Sequence, residues 1–113
     1  IVKENGQPLD DEIKNKFFEI AELSPMFYGG NKAISEYISK NVNKNILRKN
    51  AGRVVVEFVI NIDGNTEGFM IVSSENPALN QEAIRLIKHM PRWQPGFQQG
   101  YFVRTVYRLP LNF

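Results

Sequence analysis

Cysteine is absent from the 113-residue chain. Disulfides, thiol nucleophiles and thiolate-bound zinc are therefore excluded together, and whatever stabilises the fold must come from its core. Histidine occurs once, at His89, with no partners near it at metal-ligand spacing. No apolar run approaches the ~20 residues of a membrane-spanning helix. Charge of one sign is lacking as well. The net charge of +2 arises from Lys and Arg interspersed with acids, without the basic run that a nucleic-acid partner demands. The carboxylate pairs Asp10 with Asp11 and Glu75 with Glu82 have no nucleophile or orienting group beside them in the sequence, so neither an enzyme nor a cofactor is expected. What remains, with 42% hydrophobic and 23% charged residues, describes one globular domain able to bury a single core.

The chain is organised around Gly52 to Phe113. Val54, Val56, Phe58, Ile60 and Ile62 recur at period two, with Arg53, Glu57 and Asn61 among the intervening positions, which predicts a half-buried strand over 53–62. Asp63-Gly64 fits a type I′ turn, and the return strand is expected over 66–73. Asn76-Pro77 breaks that strand. Asn80 is placed as an N-cap with Leu79 and Ile84 as its hydrophobic staple, opening a helix over 80–90. Ala83, Ile84, Ile87 and Met90 form its inward stripe, and Glu82, Arg85 and Lys88 its outward one. Pro91 ends the helix and Pro95-Gly96 turns the chain. Residues 101–109 alternate again, with Val103, Thr105, Tyr107 and Leu109 on one side and Arg104 and Arg108 on the other.

This ββαβ order constrains the sheet. The crossover helix returns the chain so that the third strand runs antiparallel to the first, and an all-antiparallel sheet then takes the order 2-1-3. The expected fold is α+β: a three-stranded antiparallel sheet with a helix packed on it and one or more helices upstream. Strand 101–109 becomes an edge, with Arg104 and Arg108 as outward charges that discourage indiscriminate pairing. Phe102 and Val106 lie beside Arg104 and Arg108 on the face opposite the core side and, with Val55 and Val59, form an apolar strip for helix 31–43 or a partner to cover. Trp93 is placed under the sheet end with its indole N–H on a carbonyl, ahead of a role as an exposed docking aromatic.

Upstream, Gly29-Gly30 reads as a sharp reversal rather than a phosphate loop, since no Lys-Ser/Thr pair follows it. Asn31 then caps a helix with Ala33, Ile34, Tyr37, Ile38 and Val42 inward, and 41–50 continues as frayed helix with Ile46 and Leu47 packed down. Leu9, Ile13, Phe17 and Ile20 or Ala21 fit a helical stripe, with the helix expected over Asp10 to Lys16. Phe18 to Leu23 reads equally as an extended run, and both readings stand. Residues 1–8 form a tail or linker. The division is an N-terminal extension over 1–22, helical or extended, and a domain over 23–113.

Several segments in order carry a resemblance: Gly52-Arg-Val-Val-Val-Glu-Phe-Val-Ile60, Asp63-Gly64, Asn76-Pro-Ala-Leu-Asn-Gln-Glu-Ala-Ile-Arg85, Met90-Pro-Arg-Trp-Gln-Pro-Gly96, Gly100, Val103-Arg104 and Tyr107-Arg-Leu-Pro-Leu-Asn-Phe113. At this spacing they resemble the C-terminal domain of TonB, the periplasmic energy transducer. Ser24-Pro-Met-Phe-Tyr-Gly-Gly-Asn-Lys-Ala-Ile-Ser-Glu-Tyr-Ile38 resembles the lead-in that one branch of the family places before the domain, so the similarity spans roughly residues 17 to 113. There are departures: Asn41-Val42 stands where the family usually has Tyr-Pro, Phe102 stands where a proline often precedes Val-Arg, and Tyr28 replaces a proline of the lead-in.

The resemblance implies a non-catalytic periplasmic binding domain that grips the TonB box of an outer-membrane receptor by strand addition. Force would reach it from the ExbB–ExbD motor through an inner-membrane anchor and spacer upstream of this chain, whose first residue is not methionine. The gripping strand is expected at Phe102, Val103, Arg104, Thr105, Val106, Tyr107, Arg108 and Leu109. A homodimer formed by pairing of edge strands is the other partner weighed. The alternative function is the same module appended to a membrane sensor or peptidase, without energy coupling.

Overall fold

The structure, a computed structural model, describes residues 17–18 and 24–113. The helix expected over Asp10 to Lys16 and the tail over 1–8 lie outside the described residues. The elements are β1 (Phe17–Phe18), β2 (Met26–Phe27), α1 (Gly30–Asn41), α2 (Lys44–Leu47), β3 (Arg53–Ile60), β4 (Thr66–Ser74), a 3-10 turn (Pro77–Leu79), α3 (Asn80–Lys88), β5 (Trp93–Gln94), β6 (Gly96–Gln98) and β7 (Tyr101–Asn112). Among the described residues no helix is long and apolar enough to cross a membrane.

The central order is the expected 2-1-3: β4 and β7 flank β3, both antiparallel to it. The sheet is larger than three strands, however. β6 pairs antiparallel with the start of β7, and β1 adds to β7 in parallel, giving five strands, while β2 and β5 make a separate two-stranded ladder. These extra strands are two or three residues long and carry no periodic pattern of their own. Only pairing partners brought from elsewhere in the chain make them strands.

Period-two patterning is realised in β3, where Val54, Val56, Phe58 and Ile60 are completely buried and Val55, Glu57 and Val59 are half-buried. Phe58 is the hub of an aromatic cluster, with ring centroids at 6.0 Å from Phe69, 5.7 Å from Trp93 and 5.9 Å from Tyr107. Trp93 is buried beneath the sheet end against Phe27, at 5.2 Å and edge-on. Its indole Nε1 has no hydrogen-bond partner there, contrary to the carbonyl expected for it.

The hairpin turn differs from a type I′ turn. Asp63 does not take positive φ; the Gly64 N–H donates to Asn61 O at 2.9 Å and only Gly64, at φ 85°, is left-handed. Three residues between Asn61 and Asn65 form a turn closed by a left-handed glycine, with the Asp63 carboxylate accepting from the Asn65 N–H at 2.9 Å. No side chain fits at Gly64, where a Cβ would come within 2.3 Å of Trp93 O.

Helix capping also shifts. The helical turn begins at Pro77, so Asn76 is the cap, accepting from Ala78 N at 3.1 Å, and Asn80 lies inside the helix, its Oδ1 accepting from Ser74 Oγ. Proline at the first helical position moves the start three residues ahead of the expected one. Likewise α1 opens on Gly29 at φ 94° rather than on Asn31, and α2 is a separate turn capped by Asn43, whose side chain accepts from Asn45 N at 2.9 Å.

On α3 the buried set is Glu82, Ala83, Leu86 and Ile87, with Ile84 only half-buried. Glu82 thus faces inward, opposite to its expected side. It does so because Arg85 Nε lies 2.6 Å from its Oε1, and the Asn43 N–H donates to its Oε2 at 2.7 Å. Arg85 Nη2 donates in turn to Asn41 O at 2.9 Å, so the pair ties α3 to the joint between α1 and α2.

Candidate strand-docking site

Hydrogen-bond parity along β7 decides which of its backbone groups are available to a partner. Gly52 and Phe113 exchange both hydrogen bonds, Phe113 N–H to Gly52 O at 2.9 Å and Gly52 N–H to Phe113 O at 3.3 Å. In an antiparallel ladder such pairs alternate. With the continuous register from Arg53 opposite Asn112 to Ile60 opposite Thr105, the backbones of Thr105, Tyr107, Leu109 and Leu111 turn toward β3. Those of Arg104, Val106, Arg108, Pro110 and Asn112 turn outward.

Pro110 supports this assignment independently. It sits opposite Val55 in mid-ladder, where a residue without an N–H is tolerated only if its nitrogen faces away from the neighbouring strand. The strand expected over 101–109 continues past this proline to Asn112.

Part of the outer edge is already in use. β1 runs parallel to β7, Phe17 opposite Arg104 and Phe18 opposite Thr105. Because Arg104 and Val106 are the outward positions, this register sets the Phe18 backbone between the Arg104 C=O and the Val106 N–H. Residues 102 and 103 pair with Phe97 and Gly96. The expectation of an edge bare over 102–109 is therefore corrected: from Arg108 to Asn112 no strand lies beside it among the described residues. The extended reading left open for the run from Phe18 fits the place of Phe18 in β1, but the pairing of Phe17–Phe18 with β7 was not expected.

The proposed site residues divide between the two faces. Val103, Thr105 and Leu109 are buried on the core side, Tyr107 packs with Phe58 and Trp93, and the Thr105 hydroxyl donates to Val103 O at 3.0 Å. Phe102, half-buried, meets Phe97 edge-on at 5.4 Å. Val106, also half-buried, stands opposite Val59. Arg104 and Arg108 do not guard the edge. They reach across the sheet face, Arg104 Nη2 to Glu67 Oε1 at 2.7 Å and Nε to Asn61 at 3.0 Å, and Arg108 Nε to Glu57 Oε1 at 3.1 Å.

Helix α1 does not cover this face. Ile34 joins the same core cluster as Ala83 and Ile87 of α3, Phe27 packs on Tyr37 at 6.4 Å, and Tyr37 Oη donates to Leu86 O at 2.9 Å. Both long helices therefore lie on one side, and Val55, Val59 and Val106 remain half-exposed on the other. Among the described residues no group of three His, Asp or Glu side chains is arranged to hold a metal ion.

A small α+β sheet with outward-turned backbone groups and a strand already added to that edge has the form of a protein-interaction domain. The chain belongs to the family of Gram-negative bacterial TonB protein C-terminal domains, which matches residues 43–113. Members are periplasmic interaction domains, and the family implies interaction with outer-membrane receptors in general. No curated protein and no solved structure matches the chain.

Proposed function

We propose that this domain is a non-catalytic module that grips an extended segment of an outer-membrane receptor, the TonB box, by adding it as a strand to the outer edge of β7. Energy reaching the receptor would come from an inner-membrane motor of the ExbB–ExbD kind through chain upstream of this domain. One observation carries the reading. The outer edge of β7 already takes a strand from elsewhere, at Arg104 and Thr105, and extends beyond it through Arg108 to Asn112. Strand addition draws on main-chain groups and asks little of side chains, so one domain serves receptors of different sequence. Pulling along the added strand loads several hydrogen bonds at once.

Val106→Pro tests it. Its N–H turns outward, so proline there deletes an edge donor while leaving the β3 ladder intact, as Pro110 does two turns of the pleat away. In fluorescence-polarisation titrations with a synthetic TonB-box peptide, the folded variant is expected to bind at least tenfold more weakly than wild type. Gln81→Ala, on the exposed side of α3, is expected to bind normally. Absence of wild-type binding at millimolar peptide, or normal binding by folded Val106→Pro, overturns strand addition on β7. The appended-module reading then takes its place.

A further inference from the structure

Two residues far from the sheet in sequence occupy its working edge. Phe18 and Arg104 are separated by most of the chain, yet β1 lies in register with Arg104 and Thr105. An incoming strand bonded to the Arg104 C=O and the Val106 N–H needs the same two groups that this register assigns to the Phe18 backbone. Both strands cannot be there together, because each edge group faces one neighbour.

We propose that Phe17–Phe18 is a built-in competitor, an intramolecular strand that a receptor segment must displace before it can pair with the centre of β7. The inference rests on the strand-addition reading above and goes further by identifying what holds the edge when no receptor is bound. A two-residue strand makes few main-chain bonds, so by itself it is weak. Its tether makes it effective, since a segment on the same chain acts at an effective concentration on the order of millimolar. The consequence is selectivity: an extended peptide with only non-specific edge affinity does not dislodge it, whereas one that also gains contacts along Arg108 to Asn112 does. The same occupancy keeps a flat edge from pairing with other chains, a task the arginine side chains do not perform because they are engaged across the sheet face.

The test uses the whole chain with Phe18→Pro, which removes the N–H facing the Arg104 C=O, and with the double variant Phe17→Asp/Phe18→Asp, which keeps every backbone donor. Amide hydrogen exchange by NMR reads the edge directly. With β1 released, the Val106 amide exchanges faster, while those of Thr105 and Tyr107, turned toward β3, stay protected and certify an intact sheet. If β1 holds the edge about nine-tenths of the time, freeing it strengthens binding of a synthetic TonB-box peptide roughly tenfold. Faster Val106 exchange together with tighter peptide binding in either folded variant supports the competitor. Equal binding by wild type and variants overturns it and leaves strand addition standing, as does unchanged Val106 exchange in both. Failure of wild type and released variants alike to bind overturns strand addition itself, and the competitor with it.

Discussion

At the residue scale, Phe58 concentrates the stability of the domain. It is completely buried at mid-strand and touches three other rings, one each from β4, β5 and β7. Phe58→Ala is therefore expected to cost about 3–5 kcal/mol by urea unfolding, a large part of the ~5–15 kcal/mol total of a small domain. A loss below about 1 kcal/mol would show that the cluster closes over the gap. This position was legible because period two assigns every alternate residue of β3 to one face. The unpartnered indole N–H of Trp93 was not, because whether a carbonyl lies within its reach is decided by tertiary packing, which residue type does not encode.

At the element scale, the Glu82–Arg85 pair fastens α3 to the α1–α2 joint, and it makes that fastening pH-dependent. The Glu82 carboxyl is held below its ordinary range by the Arg85 hydrogen bond, which outweighs the burial that pushes it up; the Asn43 N–H and the Arg85 charge add to the lowering. A carboxyl whose folded pKa is depressed contributes stability above its unfolded value, about 4.3, and loses it as pH falls through the folded value. Glu82→Gln is expected to cost about 1–3 kcal/mol at pH 6, with the gap to wild type narrowing at pH 3. Urea unfolding at both values checks this, and a gap that stays constant would mean the pair contributes nothing through its charge. An amphipathic stripe drawn from residue types set Glu82 outward; the ion pair with Arg85 and the hydrogen bond donated by the Asn43 N–H reversed that.

At the scale of the whole molecule, both long helices among the described residues lie on one face of the sheet, and the other face carries the ion pairs of Arg104 and Arg108. Substitutions in neighbouring residues of β3 should therefore differ sharply. Val56→Thr, with a hydroxyl forced into the core, is expected to cost about 1–3 kcal/mol, and Val59→Thr, on the half-exposed face, to stay within about 0.5 kcal/mol, both by thermal unfolding. Similar costs at the two positions would mean that something covers the second face. The strand order 2-1-3 and the placement of α3 were determined by the sequence, because hydrophobic period, hairpin turn and crossover geometry are local or topological and leave one antiparallel solution. Even the direction of the β7 backbone was available in Pro110, since a proline can sit in a ladder only with its nitrogen turned away. What only the tertiary structure decided is the company each edge keeps. Pairing of Phe17–Phe18 with Arg104–Thr105, of Met26–Phe27 with Trp93–Gln94, and of Arg104 with Glu67 joins segments too short or too distant to leave a pattern. A backbone hydrogen bond is indifferent to the side chains that flank it, so nothing in residue type announces which strand will complete an edge.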